Sequence, residues 1–415
     1  MKKYGCIGKK LTHSFSKEIH AKLADYEYQL IELAEDEVKP FLEARDFEAI
    51  NVTIPYKQTV IPFLDWVSDV AMRIGAVNTI VNKDGKLYGY NTDYYGMKAL
   101  IQRVGLELGG KKVLILGTGG TGKTARAVAE DMGAAEILTV SRRAENGCVT
   151  YDDVTRVHAD AQIIINTTPV GMYPNCEGSP IDVSAFPCLE GVIDAVYNPL
   201  CTNLVLEARE KGVKAEGGLY MLVMQAVVAV ERFLGVEIQK DVADRVFASV
   251  LAAKENVVLT GMPGSGKSTV GKLLDLEGYT FVDTDAEIEK RCGCTIRELI
   301  ETKGEAYFRD LESEVVRDVS AESCCVISTG GGAILRAENV KYLKRNGKLF
   351  FLNADPARLC ATEDRPLSNT ADKLAKLFAE RKEIYHSTAD VIVPDMETPD
   401  GEAEYILAKR MELIL

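Results

Sequence analysis

Gly261-Met-Pro-Gly-Ser-Gly-Lys-Ser-Thr269 follows an apolar run, Asn256-Val-Val-Leu-Thr260, and precedes Val270-Gly-Lys-Leu-Leu274. The run reads as a buried strand and the segment after the loop as the opening of a helix. Gly261, Gly266, Lys267 and Ser268 stand at the spacing of a phosphate-binding loop. Glycines there, with Gly264 among them, let backbone N–H groups of the Ser265–Thr269 stretch turn inward around phosphate oxygens, and the helix start adds its positive end. Lys267 is expected to reach the β- and γ-phosphates of a nucleotide, and the Ser268 hydroxyl to hold Mg²⁺. The plain alternative is a glycine-rich turn before a helix. Strand, loop and helix in that order speak against it.

Outward from the loop, 415 residues allow two or three domains, each with its own core. Hydrophobic residues make up 47% and charged residues 27%, as in an ordinary globular protein. A net charge of −13 argues against nucleic acid or an anionic membrane as partner, so an anionic substrate must be held by local basic clusters. Ten cysteines lack zinc-site spacing and form no disulfide framework. They read as reduced thiols of a cytoplasmic protein. No apolar signal segment is expected at the N-terminus. Met221–Val230 is apolar but interrupted by Gln225 and too short to span a bilayer. Oligomeric state, a homo-oligomer included, stays open.

In the first 98 residues, polar residues gather at the ends of short apolar runs. Ser14 and Ser16 precede a helical stretch, Lys17–Ala24. By local sequence they are helix caps; the functional alternative is a hydroxyl pair that binds a carboxylate. Ala49–Ile54 reads as a strand leading to Pro55-Tyr-Lys57, and Gly75-Ala-Val-Asn-Thr79 and Gly89-Tyr-Asn-Thr-Asp93 follow. Such clusters at strand ends point to one polar cleft. Ser14-Phe-Ser16, Asn51-Val-Thr-Ile-Pro-Tyr-Lys57, Gly75-Ala-Val-Asn-Thr79 and Asn91-Thr-Asp93, in that order, resemble the shikimate dehydrogenase family. The resemblance implies that Lys57 and Asp93 are the catalytic pair. It implies that Ser14 and Ser16 bind the substrate carboxylate, and that Thr53, Asn78 and Asp93 bind ring hydroxyls. Lys17 departs from the family's usual proline.

Lys111–Leu116 reads as a buried strand running into Gly117-Thr-Gly-Gly-Thr-Gly-Lys-Thr124. Gly117, Gly119 and Gly122, with Gly120 between them, fit a dinucleotide loop; Gly117, Gly122, Lys123 and Thr124 also fit a phosphate-binding loop. The next strand, Glu136–Val140, ends in Ser141-Arg-Arg143, where Arg142 and Arg143 suit the 2′-phosphate of NADP. The dinucleotide reading is therefore preferred. The family resemblance extends to Asn166-Thr-Thr-Pro-Val-Gly-Met172 beside the nicotinamide, with Asn166, Thr167 and Met172 as cofactor contacts. It also implies substrate contacts from Tyr197 in Asp194–Pro199 and from Gln225 in Gly218–Gln225. By themselves the methionines there are core residues and Gln225 a polar helix residue.

Beyond the first loop, Tyr279-Thr-Phe-Val-Asp-Thr-Asp285 reads as a strand ending in two carboxylates on one face. Gly304–Glu312, the strand Cys325–Thr329 with Gly330-Gly-Gly332, Asp364-Arg-Pro-Leu367 and Glu380–Tyr385 follow. This set resembles the shikimate kinase family. The resemblance implies ATP as phosphate donor, Asp285 as the group that orients and deprotonates the substrate hydroxyl, and Lys267 as a catalytic cation. It implies Arg309 and Arg381 as a carboxylate clamp, Gly331 and Gly332 as pocket lining, Asp283 as assisting Mg²⁺, and Arg365 as a phosphate contact in a lid. The lid stretch between Ala357 and Arg365 is short, Arg358 is a candidate for packing on adenine, and a raised Michaelis constant for ATP is expected.

The fold class expected is α/β. An N-terminal α/β substrate domain, residues 1–98, is completed by helices near 219–253. A Rossmann NADP-binding domain follows at 99–218, then a P-loop domain like the nucleoside monophosphate kinases at 254–415, joined by a short polar junction, Lys254-Glu255. The resemblances imply a bifunctional enzyme of aromatic amino acid biosynthesis. It would reduce 3-dehydroshikimate to shikimate with NADPH, then phosphorylate shikimate with MgATP. The alternative is an NAD-linked quinate or shikimate oxidoreductase joined to a regulatory nucleotide-binding module. The paired aspartates and the two arginines speak against that module.

Overall fold

The computed structural model describes residues 3–11, 15–355, 359 and 371–414. The chain forms two compact units, Met1–Val250 and Leu251–Leu415. Among the described residues, seventeen strands form three sheets, two in the first unit and one in the second.

The first sheet holds β1 (Tyr4–Gly8), β2 (Tyr28–Glu32), β3 (Ala49–Val52), β4 (Trp66–Val67), β5 (Thr79–Lys83) and β6 (Lys86–Tyr90), in the order β2-β1-β3-β5-β6-β4. β1 pairs in parallel with β2 and β3, and β3, β5 and β6 pair antiparallel. Every residue of β1 and β3 is buried, which is why both read as unbroken runs and not as alternating strands. Helices α1 (Ser16–Leu23), α2 (Val38–Ala44), α3 (Asp69–Ile74) and α4 (Asp93–Arg103) complete this lobe. Its core holds Ile7, Leu42, Ile50, Val52, Tyr56, Ile80 and Leu87.

The second sheet holds β7 (Lys112–Leu116), β8 (Glu136–Ser141), β9 (Val149–Thr150), β10 (Ile163–Asn166), β11 (Gly191–Asp194) and β12 (Lys214–Glu216). All pairs are parallel, in the order β12-β11-β10-β7-β8-β9. Strand order therefore reverses between β7 and β10, and the crevice outside their carboxyl ends is where such sheets bind ligands. Helices α5 (Gly120–Asp131), α6 (Tyr151–Val157) and α7 (Asn203–Glu210) belong to this lobe. Two further helices, α8 (Leu219–Leu234) and α9 (Lys240–Ala252), follow, and α8 packs on α4. At their crossing a Cβ on Gly96 would fall 2.5 Å from the Met221 carbonyl oxygen and 3.1 Å from Gln225 Cβ. Only glycine lets the helices approach this closely. Among the described residues no helix is long and apolar enough to cross a membrane.

The second unit carries β13 (Asn256–Thr260), β14 (Thr280–Asp283), β15 (Cys325–Ser328), β16 (Gly347–Asn353) and β17 (Val391–Pro394), all parallel, in the order β14-β15-β13-β16-β17. Helices α10 (Lys267–Leu273), α11 (Thr284–Cys292), α12 (Ile296–Lys303), α13 (Glu305–Ala321), α14 (Ala337–Asn346), α15 (Ala371–Thr388) and α16 (Pro399–Ile414) accompany it. Two sequence readings change here. Asp283 ends β14, but Asp285 lies in the first turn of α11, so the two carboxylates do not share a strand face. The chain turns helical because the Asp283 side chain accepts from the N–H groups of Asp285 and Ala286 and caps the helix. Glu255, read as half of a polar junction, is buried at 5% exposure, and burial raises its carboxyl pKa.

Candidate active sites

In the first unit, a cleft of about 990 Å³ opens between the two lobes. Lys57 and Asp93 meet in it, with Nζ 2.6 Å from Oδ2. Lys57 lies in the turn after β3, where its carbonyl accepts from Val77 N at 2.7 Å. Tyr56 beside it is buried and donates to the Leu33 carbonyl at 2.6 Å, so the turn is anchored on both sides. Asp93 opens α4, where the N–H groups of the first turn favour a negative charge.

Ser16, Thr53 and Asn78 line the same cleft, as do Met172, Tyr197 and Gln225. Asn78 is held by the Thr92 N–H, which donates to its Oδ1 at 2.7 Å, and its own Nδ2 donates to Thr92 Oγ1 at 3.0 Å. Thr92 Oγ1 in turn lies 3.4 Å from Gln225 Oε1, so α8 joins the network across the crossing at Gly96. Tyr197 packs against Phe15, ring centroids 5.3 Å apart, and burial raises its phenol pKa. The capping reading does not hold for Ser16: Phe15 is the N-cap of α1 and Ser16 the first helical residue. Ser14 lies outside the described residues.

The crevice between β7 and β10 carries the dinucleotide loop. Gly117 has φ +109°, and a Cβ there would fall 2.9 Å from Thr167 Oγ1; one on Gly122 would fall 3.2 Å from the same oxygen. Thr167 itself donates to the Leu116 carbonyl at 2.7 Å. Gly119 and Gly120 have nothing within 4 Å of the added carbon, so the start of α5 faces open space that a pyrophosphate can enter. Ser141, Arg142 and Arg143 line a second opening of about 580 Å³. Arg143 pairs loosely with Glu145, at 3.9 Å.

Asn166 departs from its expected role. Its side chain is fully buried, donates to Asp194 Oδ1 at 2.9 Å, and accepts from Thr168 N and Oγ1 at 3.0 and 2.7 Å. It thus fastens the 166–172 loop to the end of β11 and presents no polar side-chain atom to a cofactor. Asp194, fully buried, accepts also from Val196 N and Thr202 Oγ1. Burial without a cation pushes its carboxyl up to about 6.

In the second unit, Gly261, Gly264 and Gly266 all have positive φ, and Gly266 has nothing within 4 Å of an added carbon. Ser265 is buried within the loop, and Thr269 is exposed on the first turn of α10. The buried Lys267 ammonium donates to the Gly261 and Met262 carbonyls at 2.9 and 2.8 Å. Ser268 Oγ donates to Asp283 Oδ2 at 2.5 Å, so a hydroxyl and a carboxylate oxygen converge where a hard cation would find ligands.

The substrate side is built around Gly330-Gly331-Gly332. A Cβ on Gly330 would fall 2.5 Å from Asp285 Oδ1 and 2.9 Å from Glu312 Oε1. One on Gly332 would fall 2.7 Å from Arg309 Cζ. Arg381 Nη1 donates to the Gly331 carbonyl at 2.9 Å. Asp285, Arg309, Arg381 and the glycine turn are therefore brought together. Arg365 and Arg358 lie outside the described residues.

Three residues at these sites escaped the sequence reading. Gly96 is a glycine inside a helix, a signal of close helix approach. Glu312 stands three residues after Arg309 on α13 and pairs with it at 2.8 Å, the spacing of helix neighbours. Its other oxygen, Oε1, is buried with no hydrogen-bond partner among the described residues, and burial raises its pKa despite Arg309. Tyr385 stands four residues after Arg381 and is buried.

Comparison with known proteins agrees with this geometry. The family model described as the shikimate dehydrogenase substrate binding domain matches residues 6–80, and the one described as shikimate kinase matches residues 263–411. Shikimate dehydrogenase (NADP(+)) of Clostridium perfringens strain SM101 is 37% identical over 265 residues, covering 60% of this chain and 97% of that protein. The crystal structure of shikimate dehydrogenase 1 from Peptoclostridium difficile is 32% identical, with a TM-score of 0.56 over 60% of this chain and 98% of that one. Quinate dehydrogenase from Corynebacterium glutamicum in complex with NAD is 28% identical, with a TM-score of 0.55 over 60% and 99%. With an ammonium–carboxylate cleft beside a reversed parallel sheet in one unit and a phosphate loop facing two arginines in the other, the chain belongs to the shikimate dehydrogenase family and carries a shikimate kinase domain after it.

Proposed function

We propose that the two units act on one ring acid in succession: the first reduces 3-dehydroshikimate to shikimate with NADPH, and the second phosphorylates shikimate with MgATP. The observation that carries the first step is the 2.6 Å contact between Lys57 and Asp93 inside the cleft. Bound NADPH would supply the hydride. Lys57 polarises the ketone oxygen and gives it a proton, the Asp93 carboxylate keeps the ammonium in place, and the neutral amine left behind regains its proton from water. Ser14 and Ser16 bind the substrate carboxylate, Thr53, Asn78 and Asp93 the ring hydroxyls, and Tyr197 and Gln225 close the opposite side.

The open start of α5 at Gly119 and Gly120 fits the cofactor's pyrophosphate. The choice between NADPH and NADH falls to Ser141, Arg142 and Arg143. A guanidinium prefers the dianionic 2′-phosphate, and Arg142 is the better placed because Arg143 leans toward Glu145.

For the second step, bound ATP would supply the phosphoryl group. Ser268 and Asp283 would hold Mg²⁺, and the loop N–H groups with Lys267 would neutralise phosphate charge. Arg309 and Arg381 clamp the ring carboxylate, and Asp285 orients the attacking hydroxyl and takes its proton. Such catalysis is mainly positioning and charge neutralisation. The test is to supply the full chain with 3-dehydroshikimate, NADPH and MgATP together. Shikimate 3-phosphate should form, with NADPH and ATP consumed in equal amounts. Accumulation of unphosphorylated shikimate would reject the second half of the reading.

A further inference from the structure

Tyr385 on α15 is 1% exposed, and its ring stacks on Phe351 with centroids 4.9 Å apart. Its hydroxyl lies 2.5 Å from the Gly331 carbonyl oxygen and 3.0 Å from the Gly261 carbonyl oxygen. A phenol has one proton, so it donates to one of these carbonyls at a time. Each carbonyl also has a second donor. Lys267 Nζ reaches Gly261 O at 2.9 Å, and Arg381 Nη1 reaches Gly331 O at 2.9 Å. A run of close polar contacts thus joins the ammonium of the phosphate loop to the guanidinium of the glycine turn, and the one hydroxyl proton at its middle completes only one of the two tyrosine links at a time.

We infer that the Tyr385 hydroxyl is a positioning group that couples nucleotide binding at the phosphate loop to carboxylate binding at Arg381. The inference rests on the kinase reading proposed above. When Lys267 turns from Gly261 O toward a phosphate oxygen, that buried carbonyl loses a donor, and a buried acceptor left unpaired is costly. The Tyr385 proton can swing to it. Gly331 O then depends on Arg381, which fixes one N–H of the guanidinium and leaves the remaining donors aimed in a set direction. A guanidinium has five donors, so one can be committed while two others grip a carboxylate. Nucleotide binding thereby prepares Arg381 for the ring acid, and linkage requires the reverse effect to be equal.

The test is an initial-rate matrix of ATP against shikimate on the full chain without NADP⁺, at enzyme concentrations too low for the first unit to deplete shikimate. In the wild type, the half-saturating shikimate concentration should fall about fivefold or more from limiting to saturating ATP, an ordinary size for such coupling. In Tyr385→Phe, which keeps the ring on Phe351 and removes only the hydroxyl, the change should shrink to less than twofold. A second variant, Phe351→Leu, disturbs the stack but keeps the hydroxyl, and should retain the dependence. An undiminished dependence in Tyr385→Phe overturns the inference, as does a wild type with no dependence. If Phe351→Leu loses the dependence and Tyr385→Phe keeps it, packing carries the link and the hydroxyl does not. A wild type that forms no phosphorylated product rejects the kinase reading itself, and the inference with it, by a different signature.

Discussion

The two units each set a lysine at the centre of a site, and they hold it in opposite ways. Lys57 rests on a carboxylate, Asp93, at 2.6 Å, whereas Lys267 rests on two backbone carbonyls at 2.8 and 2.9 Å. A carboxylate carries a full opposite charge and keeps its ammonium in place whether or not a substrate is bound. Carbonyls are dipoles, and a phosphate oxygen makes a stronger, charge-assisted bond than they do. The first lysine is therefore held by a charge, and the second by dipoles that a phosphate oxygen can outcompete. Buried carboxyls repeat the contrast. Among the described residues, Asp194 in the first unit has only neutral donors, while Glu312 in the second faces Arg309.

The largest effect that can break this comparison is a reciprocal one. Lys57→Ala should lower kcat/KM for reduction by about a thousandfold, within the range of lost general acid catalysis, and leave phosphorylation within about twofold. Lys267→Ala should do the converse. Loss of both activities in either variant, with circular dichroism unchanged, would falsify the independence of the two sites.

A smaller effect sharpens the contrast between the buried carboxyls. The Asp194 carboxyl is pushed up to about 6, above the usual carboxylate value. Between roughly pH 4 and 6 the folded chain therefore holds a proton that the unfolded chain has released. The protonated carboxyl's contribution to stability is complete below the unfolded value and is lost as pH rises through the folded one. The chain has one tryptophan, Trp66, and it lies in the first unit, so its fluorescence follows that unit's unfolding. From pH 4 to 7, wild-type stability should fall relative to Asp194→Asn by about 1–3 kcal/mol. A wild-type-minus-variant difference flat across that window would remove the buried, cation-free carboxyl from the account.

The smallest effect concerns the cofactor. Arg142→Ala should raise the KM for NADPH about tenfold and leave that for NADH nearly unchanged, the loss of one charge-assisted contact. Equal changes for both cofactors would show that Arg142 does not read the 2′-phosphate.

Local motifs announced both units because phosphate loops and strand-end clusters are short and chemically constrained. Gly117, Gly261 and Gly266 need positive φ, and their spacing is legible without any fold. Residues whose role depends on what packs opposite them were not legible. Asn166 sits in a recognisable loop motif, yet its partner, Asp194, is 28 residues away and makes it a fastener. Asp283 and Asp285 two residues apart suited a strand, but helix capping by Asp283 ended the strand between them. Ser16 had the local character of a cap, and only the placement of α1 made Phe15 the N-cap and turned Ser16 toward the cleft.

By itself, the amino-acid order determined that this chain makes two α/β units, where each nucleotide loop lies, and which charged side chains are available, because backbone torsion and hydrophobic periodicity act over a few residues. The tertiary structure decided which of those side chains meet. Lys57 finds Asp93 36 residues away, Gly96 lets α8 deliver Gln225 to the cleft, and Tyr385 reaches Gly261 across 124 residues. Hydrogen bonds and ion pairs form only within about 3–4 Å, and chain folding alone brings such distant groups that close.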